Sequence, residues 1–370
     1  MPVVAVLVSN DLVHDQRVAK VCNSLNEMGF DIVLAGRLLK NSPPIQRPYK
    51  TIRFRLPITT GPLFYASLQI RLFFFLCFVK ADVFLANDLD TLLPARIVAK
   101  IRRKKLVYDS HEYFTEAEGL IHNNFAKNVW TLVEKFCFPA VDKAYTVNES
   151  IAEIYRQKYH IPVGVIRNIP PFSDKPQPIA RDKIGVPNDA FLIILQGAFI
   201  DNDRGALATA KALEFLPEVY FLLIGAGPEW QKVKDLKSTW HWGDRIIVLP
   251  KMEYHALRQY TASCDLGISL DLDRCLNYRF SLPNKLFDYL HAGIPVLASN
   301  LPEIARIMKE YPFGLLTDNF QPEALAAKIQ EALLSKERVN WMQSIELART
   351  QLTWQNEANK LKEMYKAYLR

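Results

Sequence analysis

Several features that would assign a chain to a common class are missing from this sequence. The five cysteines are scattered, without a CxxC pair or a Cys/His spacing suited to zinc, so we expect reduced thiols and no structural metal. There is no low-complexity tract, and 49% hydrophobic with 23% charged residues is a globular composition. The amino terminus lacks a basic leader and cleavage site, so a cytoplasmic protein is expected.

The first strand–helix–strand unit lacks the GxGxxG pattern of dinucleotide-binding domains. Residues 3–8 and 31–35 are apolar runs of strand length, and residues 14–29 carry apolar side chains at helical spacing. This order predicts a parallel sheet. Because the glycine pattern is absent, we expect no nicotinamide or flavin cofactor.

The sequence also lacks a hydrophobic run that reads plainly as a membrane span. The most apolar segment, residues 63–79, falls short of the usual ~20 residues and carries Arg71 near its centre. A buried helix is the first interpretation. A helix lying in the membrane interface is the alternative, which the basic run at residues 100–105 supports.

Charge of one sign is in excess, since the formal net charge is +7. A basic chain favours anionic partners: a nucleotide diphosphate, an anionic membrane surface or nucleic acid. The basic residues are not interleaved with aromatic residues and form no nucleic-acid motif, so nucleic acid ranks last.

The length of 370 residues is comfortable for two domains. Residues 169–178 are the most proline-rich stretch, too stiff for a helix or sheet interior, and we place the interdomain linker there. The predicted domains are residues 1–170 and 171–350, followed by a final helix at residues 351–370.

The most informative stretch is Ser281–Ser299, SLPNKLFDYLHAGIPVLAS. It predicts a helix that Gly293 ends, followed by a buried strand. Lys285 and the free N–H groups of the helix start would attract a phosphate, and Asp288 would accept hydrogen bonds from sugar hydroxyls. The alternative is an exposed Lys285–Asp288 pair of small energetic consequence.

This stretch resembles the donor site of the retaining, nucleotide-sugar-dependent glycosyltransferases of the group 1 family. There a carboxylate at the position of Asp288 holds the ribose, and the phrase "EAmaaG-PVias" continues as HAGIPVLAS does here. The resemblance implies an α/β protein of GT-B fold, with two Rossmann-like domains facing each other across a cleft. It also implies that residues 351–370 cross back to the first domain.

The resemblance implies a donor-binding set in the second domain. Arg204, which precedes a glycine, would pair with the nucleotide diphosphate. Phe199 lies near the position of a second basic residue in the family, so Lys285 would complete the clamp. The full set is Gly197, Arg204, Gly225, Gly227, Asn284, Lys285, Leu286 and Asp288.

The first domain carries a polar cluster, Asp109–Tyr113, after an apolar strand, and such a cluster marks a site more often than a turn. It resembles the "HE" segment of the family, which implies that His111 contacts the transferred sugar. The alternative is that His111 caps the following helix. The resemblance also places the loop at residues 9–17 and Glu112 beside the acceptor, giving Asp15, Arg17 and Glu112 as acceptor-side candidates.

One departure from the family pattern concerns the first of its two carboxylates, eight positions before Asp288, where this chain has Phe280. Either Asp271 or Asp273 reaches the donor from the loop, or backbone amides near Ser281 and Leu282 replace the carboxylate.

The implied function is retaining transfer of a hexosyl group from a UDP- or GDP-sugar to a hydroxyl of a glycan or lipid-linked acceptor, in surface polysaccharide synthesis. Arg204, Lys285 and His111 would be the catalytic residues, with no metal and no cofactor. The expected location is cytoplasmic, with an anionic membrane surface as a further partner. The alternatives are a sugar-nucleotide epimerase or hydrolase of the same fold, and a non-catalytic scaffold that binds membranes or polyanions.

Overall fold

The computed structural model describes residues 1–13 and 15–369. The chain divides into two compact units. The first comprises Met1–Asn168, Cys275–Asn277 and Trp354–Arg370, and the second comprises Ile169–Arg274 and Tyr278–Thr353. The units therefore part after Asn168, where the proline-rich stretch begins.

The first unit is an α/β sandwich around a parallel seven-stranded sheet in the order β3-β2-β1-β4-β5-β6-β7. Its strands are β1 Val3–Asp11, β2 Asp31–Arg37, β3 Lys50–Phe54, β4 Val83–Asn87, β5 Lys105–Ser110, β6 Lys143–Thr146 and β7 Val163–Val165. Its helices are α1 Gln16–Glu27, α2 Gly61–Phe78, α3 Leu89–Arg102, α4 Glu118–Ile121, α5 Asn124–Cys137 and α6 Glu149–Tyr159.

The second unit is built in the same way on a parallel six-stranded sheet in the order β10-β9-β8-β11-β12-β13. Its strands are β8 Phe191–Gly197, β9 Val219–Gly225, β10 Ile246–Pro250, β11 Leu266–Ser269, β12 Val296–Ser299 and β13 Gly314–Thr317. The helices from residue 169 onward are α7 Arg181–Ile184, α8 Ala206–Ala212, α9 Pro228–Leu236, α10 Tyr254–Ala262, α11 Leu276–Arg279, α12 Asn284–Ala292, α13 Pro302–Glu310, α14 Pro322–Leu334, α15 Arg338–Gln351 and α16 Trp354–Tyr365.

The order of strands reverses once in each sheet, between β1 and β4 and between β8 and β11. In open α/β sheets, ligands bind outside the carboxyl ends of the strands at such a point. Asp109 lies near the end of β5, and Asp271 lies two residues after β11. Each sheet is buried on both faces, which explains the continuous apolar runs of its central strands.

The last helix, α16, belongs to the first unit and packs against α1. The indole N–H of Trp354 donates a hydrogen bond to Oγ of Ser24 at 3.0 Å. The rings of Tyr365 and Phe30 meet edge to face with centroids 6.0 Å apart. The carboxyl-terminal segment is therefore held by the first sheet's helical layer.

The apolar segment predicted at residues 63–79 lies mostly in helix α2, which is buried on one face only. Phe64, Leu68, Leu72 and Leu76 point into the fold, whereas Ile70 and Phe78 are exposed. Within the described residues, α2 is the one helix whose length and composition would suit a membrane span, and 22% of it is buried. The expectation of a buried helix holds for one side of α2.

Candidate functional site

Helix α12 packs on the second sheet through several buried residues, and one of them, Tyr289, also bonds the strands. Oη of Tyr289 donates to the carbonyl oxygen of Ile268 at 3.1 Å and accepts the backbone N–H of Gln196 at 3.2 Å. Gly267 makes this possible, since a Cβ there would lie 2.4 Å from the Tyr289 ring. Pro283 is the N-cap of the helix, one residue before its first turn, and Gly293 ends the helix with a φ of +86°. The position of Lys285 and Asp288 is thereby determined.

A buried carboxylate joins the two predicted cations of the clamp. Nη1 of Arg204 donates to Oδ1 of Asp271 at 2.8 Å, and Nζ of Lys285 lies 3.7 Å from the same oxygen. Asp271 is completely buried, while the side chains of Arg204 and Lys285 stay 26% and 13% exposed. The guanidinium of Arg204 also stacks 3.9 Å from the ring centroid of Tyr278. The structure thus brings Arg204 and Lys285 together.

Two cations share one carboxylate in this cluster, and Glu229, which binds the backbone N–H groups of Arg204 and Ala206, also acts on the charge of Lys285. Burial holds the pKa of Lys285 below its usual value, although Asp271 opposes the shift and Arg204 adds to it. Within the described part of the chain, Oδ2 of Asp271 is buried and accepts no hydrogen bond. An anion placed at these partly exposed cations would accept charge-assisted hydrogen bonds from both.

The structure separates the three substitutes considered for the missing carboxylate at Phe280. Asp271 directly continues the buried strand β11 and reaches the cations. Asp273 instead pairs with Arg279 at the surface, at 2.8 Å. The backbone N–H of Ser281 already donates to the carbonyl oxygen of Tyr278 at 3.0 Å. Of these groups, Asp271 is the one beside Arg204 and Lys285.

Asp288 is oriented by residues that sequence reasoning missed. Oη of Tyr254 donates to Oδ1 of Asp288 at 2.9 Å, and Nε2 of Gln196 donates to Oδ2 at 3.2 Å. Thr261 in turn donates to Oε1 of Gln196 at 2.7 Å, which fixes the orientation of the amide. A polar Gln196 at the end of the apolar strand β8, directly before Gly197, was the signal in the sequence. Asp288 is therefore held as a fixed acceptor.

At the start of helix α8, a buried glutamate binds two backbone N–H groups. Oε2 of Glu229 accepts the backbone N–H groups of Arg204 and Ala206, both at 3.1 Å. Burial raises the pKa of Glu229, while these hydrogen bonds oppose the shift. The N–H groups at this helix start are thus occupied within the protein, and the side chain of Arg204 is what remains for an anion.

The glycines of the donor set act on the backbone. A Cβ at Gly225 would lie 2.0 Å from the carbonyl oxygen of Gly197, and a Cβ at Gly227 would lie 2.5 Å from that of Ile200. These glycines let the loops after β8 and β9 pack together at the edge of the sheet. Their positions fit a ligand site at that edge without showing direct contact.

Two members of the donor set occupy opposite environments at the start of α12. Asn284 is exposed on the first residue of the helix. The side chain of Leu286 is completely buried in the core below α12, so its place in the donor set stays a prediction that only its backbone could fulfil. Leu286 supports the helix and cannot present its side chain to a ligand.

The first unit places His111 among acidic groups where β4 and β5 end. Its Nε2 lies 3.1 Å from Oδ1 of Asn87 and 3.4 Å from Oδ2 of Asp109, and its Nδ1 lies 3.4 Å from Oδ2 of Asp88. Burial would lower the pKa of His111, but Asp88 and Asp109 outweigh it and raise the pKa to about 9. The following helical turn begins at Phe114, so His111 does not cap it. At neutral pH this imidazole is a cationic hydrogen-bond donor.

The acceptor-side candidates have structural partners. The prediction for Arg17 needs correction, because its guanidinium is buried and bonds both oxygens of Asp109 and the carbonyl oxygen of Ile166. Asp15 accepts the backbone N–H of Val18 at 3.0 Å and caps α1. Glu112 accepts a hydrogen bond from Asn277 at 2.7 Å. His14, in the same predicted loop, lies outside the described residues.

A search of residues 1–13 and 15–369 finds no group of three or more His, Cys, Asp or Glu side chains arranged to hold a metal ion. Arg204, Lys285 and Asp271 form the charged cluster of the second unit, and Glu229 also acts on the charge of Lys285.

Comparison with known proteins assigns this architecture. Residues 191–335 match the family model "Glycosyl transferases group 1", and residues 15–175 match "Glycosyltransferase Family 4". Over the full chain, the structure superposes on sucrose-phosphate synthase from Thermosynechococcus elongatus with a TM-score of 0.77 and 16% identity, covering 100% of this chain and 99% of that one. Anabaena HepE in complex with UDP-glucose gives a TM-score of 0.75 and 15% identity, covering 99% and 100%.

The chain matches less than half the length of the first curated relative. A chitobiosyldiphosphodolichol beta-mannosyltransferase of Kluyveromyces lactis is 25% identical over 194 residues, which is 47% of this chain and 41% of that protein. The protein of the same name from Eremothecium gossypii is 22% identical over 374 residues, 84% of this chain and 75% of its own length.

Two Rossmann-like units and matches to transferase families along both define an enzyme class, the glycosyltransferases of GT-B fold. Within this class, residues 191–335 are similar to the group 1 glycosyltransferases and residues 15–175 to glycosyltransferase family 4. The resemblance drawn from Ser281–Ser299 is confirmed, and the non-catalytic scaffold is not supported.

Proposed function

We propose that the protein transfers a hexosyl group from a nucleotide diphosphate sugar to a hydroxyl group of a glycan or lipid-linked acceptor, with retention of configuration. The observation that carries this proposal is the cluster in which Arg204 and Lys285 share the buried Asp271. The cluster is prearranged and keeps two partly exposed cations, as an anionic leaving group requires.

In this reaction the bond between C1 of the sugar and the β-phosphate oxygen breaks, and its electron pair leaves with the diphosphate. A bond forms between C1 and the acceptor oxygen, whose proton passes to the departing phosphate oxygen in the retaining case. Arg204 and Lys285 would stabilise the negative charge as it develops, without a bound metal. Removing one such prearranged donor costs roughly 100- to 1,000-fold in turnover.

Asp288 and His111 have binding roles in the proposal. Asp288, held by Tyr254 and Gln196, would accept hydrogen bonds from the ribose of the nucleotide. His111, held protonated by Asp88 and Asp109, would donate to a hydroxyl of the transferred sugar. A cationic His111 cannot serve as a general base, which fits a retaining reaction.

An inverting reaction is the second candidate, and two carboxylates favour it. Burial raises the pKa of Asp88 to about 6 and that of Asp90 to about 6, a range suited to a general base on the acceptor hydroxyl. The relatives' name specifies a beta-mannosyl product. Proton NMR of the first product formed decides between the two mechanisms. A retaining reaction keeps the anomeric configuration of the donor, and an inverting reaction reverses it.

The name shared by two curated relatives supports the proposed class of acceptor. The curated relatives act on a diphosphodolichol-linked sugar, a lipid-linked glycan. We extend this class to the present protein and place its work at the cytoplasmic face of a membrane, in the synthesis of a surface polysaccharide.

The decisive experiment compares the variants Arg204→Ala and Lys285→Ala with Lys309→Ala, an exposed lysine at the end of α13. A thermal-shift panel of UDP, GDP, ADP and CMP first identifies the nucleotide, since a ligand at 100 times its Kd adds roughly 2.7 kcal/mol to stability. With the matching donor, the two clamp variants should lose at least roughly 100-fold in kcat while Lys309→Ala retains it. Unchanged turnover in both folded clamp variants would refute the proposal.

Incubation with donor alone tests the epimerase or hydrolase alternative. A transferase leaves most of the donor intact until an acceptor is added. Rapid acceptor-independent conversion of the donor would instead establish the alternative.

A further inference from the structure

Three helices of the first unit expose large apolar side chains on their outer sides. The clearest are Phe74 and Phe78 on α2, Ile101 on α3, and Phe125, Leu132 and Phe136 on α5, which are 56–83% exposed. On α5 the exposed apolar residues recur at helical spacing, so the amphipathic stripe of this helix faces outward instead of toward the core. We call these six residues the apolar face.

Contacts between α2, α3 and α5 join the three helices that carry the apolar face. Tyr65 of α2 meets Trp130 of α5 with ring centroids 5.1 Å apart. The guanidinium of Arg96 on α3 lies 5.9 Å from the ring centroid of Phe136 on α5. Because α2 also packs along α3, the three helices lie side by side. A contiguous exposed apolar surface marks an interaction site.

The charges on this surface have one sign. Helices α2, α3 and α5 contain two acidic residues, Asp90 and Glu134, and both are buried. Basic residues on the same helices include Arg71, Lys100 and Lys135, which are exposed. The three helices therefore present cations and apolar groups to solvent and no carboxylate.

A groove at the end of α2 combines the same two properties. Its volume is about 570 Å³, and Phe74 and Phe78 of the apolar face line it. Lys50, Arg71 and Lys80 lie around it. An acyl chain beside an anionic headgroup has the shape and charge that this groove complements.

We infer that the apolar face docks on an anionic phospholipid bilayer. The aromatic and aliphatic side chains enter the boundary of the acyl region, and the lysines and arginines contact the phosphates. Helix α2 does not leave the fold to span the bilayer, because Leu68, Leu72 and Leu76 on its other side are buried in the first unit. A second copy of the chain is a poorer occupant, since the exposed charged residues of α2, α3 and α5 are cations, which repel each other.

This inference is independent of the proposed sugar transfer, and lipid binding alone tests it. The full chain is mixed with vesicles of phosphatidylcholine or of equimolar phosphatidylcholine and phosphatidylglycerol, and bound protein is separated by flotation. The protein should float with the anionic vesicles, and more weakly as salt is raised. No flotation with anionic vesicles would overturn the inference.

The matched variants are Phe125→Ser with Leu132→Ser on α5, and Leu334→Ser with Val339→Ser on exposed positions of the second unit. The α5 double variant should lose roughly tenfold or more in partition coefficient, because two fewer apolar side chains leave water. The second-unit variant should bind like the wild type. Since all four side chains are exposed, melting temperatures should stay unchanged.

A charge variant, Lys100→Glu with Lys135→Glu, separates electrostatic attraction from apolar insertion. It should bind anionic vesicles more weakly and become less sensitive to salt. Equal binding by the α5 variant and the wild type would overturn the inference. So would a concentration-dependent dimer that forms without lipid and is lost in the α5 variant, since a second copy would then cover the face.

Discussion

Both units contain a completely buried aspartate that binds an arginine, yet the two pairs differ in what they leave for a ligand. In the first unit, Arg17 bonds both oxygens of Asp109, and its Nη1 donates to the carbonyl oxygen of Ile166. In the second, Asp271 bonds Arg204 through one oxygen, and Lys285 shares it. The first pair is closed within the fold, and the second keeps partly exposed cations.

The comparison shows that the exposure of the cation, more than the residue types of the pair, indicates whether the pair is available to a ligand. The side chain of Arg17 is 4% exposed and that of Arg204 is 26% exposed. Removing one partner of a buried pair leaves an uncompensated charge, whereas a partly exposed cation regains water. The same chemistry therefore serves stability in one unit and, in our proposal, anion binding in the other.

The largest expected effect is on stability and concerns the closed pair. Asp109→Asn should lower the free energy of unfolding by roughly 3–5 kcal/mol, because Arg17 stays buried without its counter-charge. Urea unfolding measured by circular dichroism gives the change. The exposed pair of Glu153 and Arg156 is the control, since Glu153→Gln should cost less than about 1 kcal/mol. A similar small cost for Asp109→Asn would remove the distinction between the pairs.

The second prediction concerns the acidic surroundings of His111. Its pKa should be about 9 by NMR titration, and Asp88→Asn should lower it, since burial alone favours the neutral imidazole. Because the folded-state pKa lies above the ordinary histidine pKa of 6.5, the stabilisation from charged His111 is complete below about pH 6.5 and is lost as pH rises through about 9. Turnover should fall over the same upper range. A midpoint at or below 6.5 would contradict the proposed donor role.

Sequence patterns predicted the architecture because strand, helix and glycine signals are local. The α/β class, the helix before Gly293 and the placement of Lys285 and Asp288 on its first turns all follow from neighbouring residues. The family matches confirm the glycosyltransferase assignment that those residues indicated.

Partners that are distant along the chain could not be predicted in the same way. Arg17 looked like a free cation in a loop, but its partner Asp109 lies 92 positions away. Asp271 and Asp273 are equivalent in sequence, and only the burial of Asp271 at the end of β11 separates them. Tyr254 meets Asp288 from another helix. Side-chain pairing of this kind depends on the packed sheet.

The third prediction tests the open pair. Asp271→Asn should cost about 1–2 kcal/mol in unfolding free energy, less than Asp109→Asn, because Arg204 keeps solvent and the Tyr278 ring as partners. The loss of one negative charge should tighten binding of the preferred nucleoside diphosphate in calorimetry, while misplacement of the cations lowers kcat. Asp273→Asn, at the exposed pair with Arg279, should change neither quantity. Weaker diphosphate binding in Asp271→Asn would argue that the cluster is structural, like its counterpart.

The smallest expected effect is at Tyr254, which orients Asp288 without facing the diphosphate cations. Tyr254→Phe removes one hydrogen bond, worth about 1 kcal/mol, so KM for the donor should rise about fivefold with kcat nearly unchanged. Tyr260→Phe on the same helix is the control and should leave KM unaffected. A rise in KM alone places Asp288 in ground-state binding of the nucleotide, whereas a large fall in kcat would place it with Arg204 and Lys285 in stabilising the leaving group.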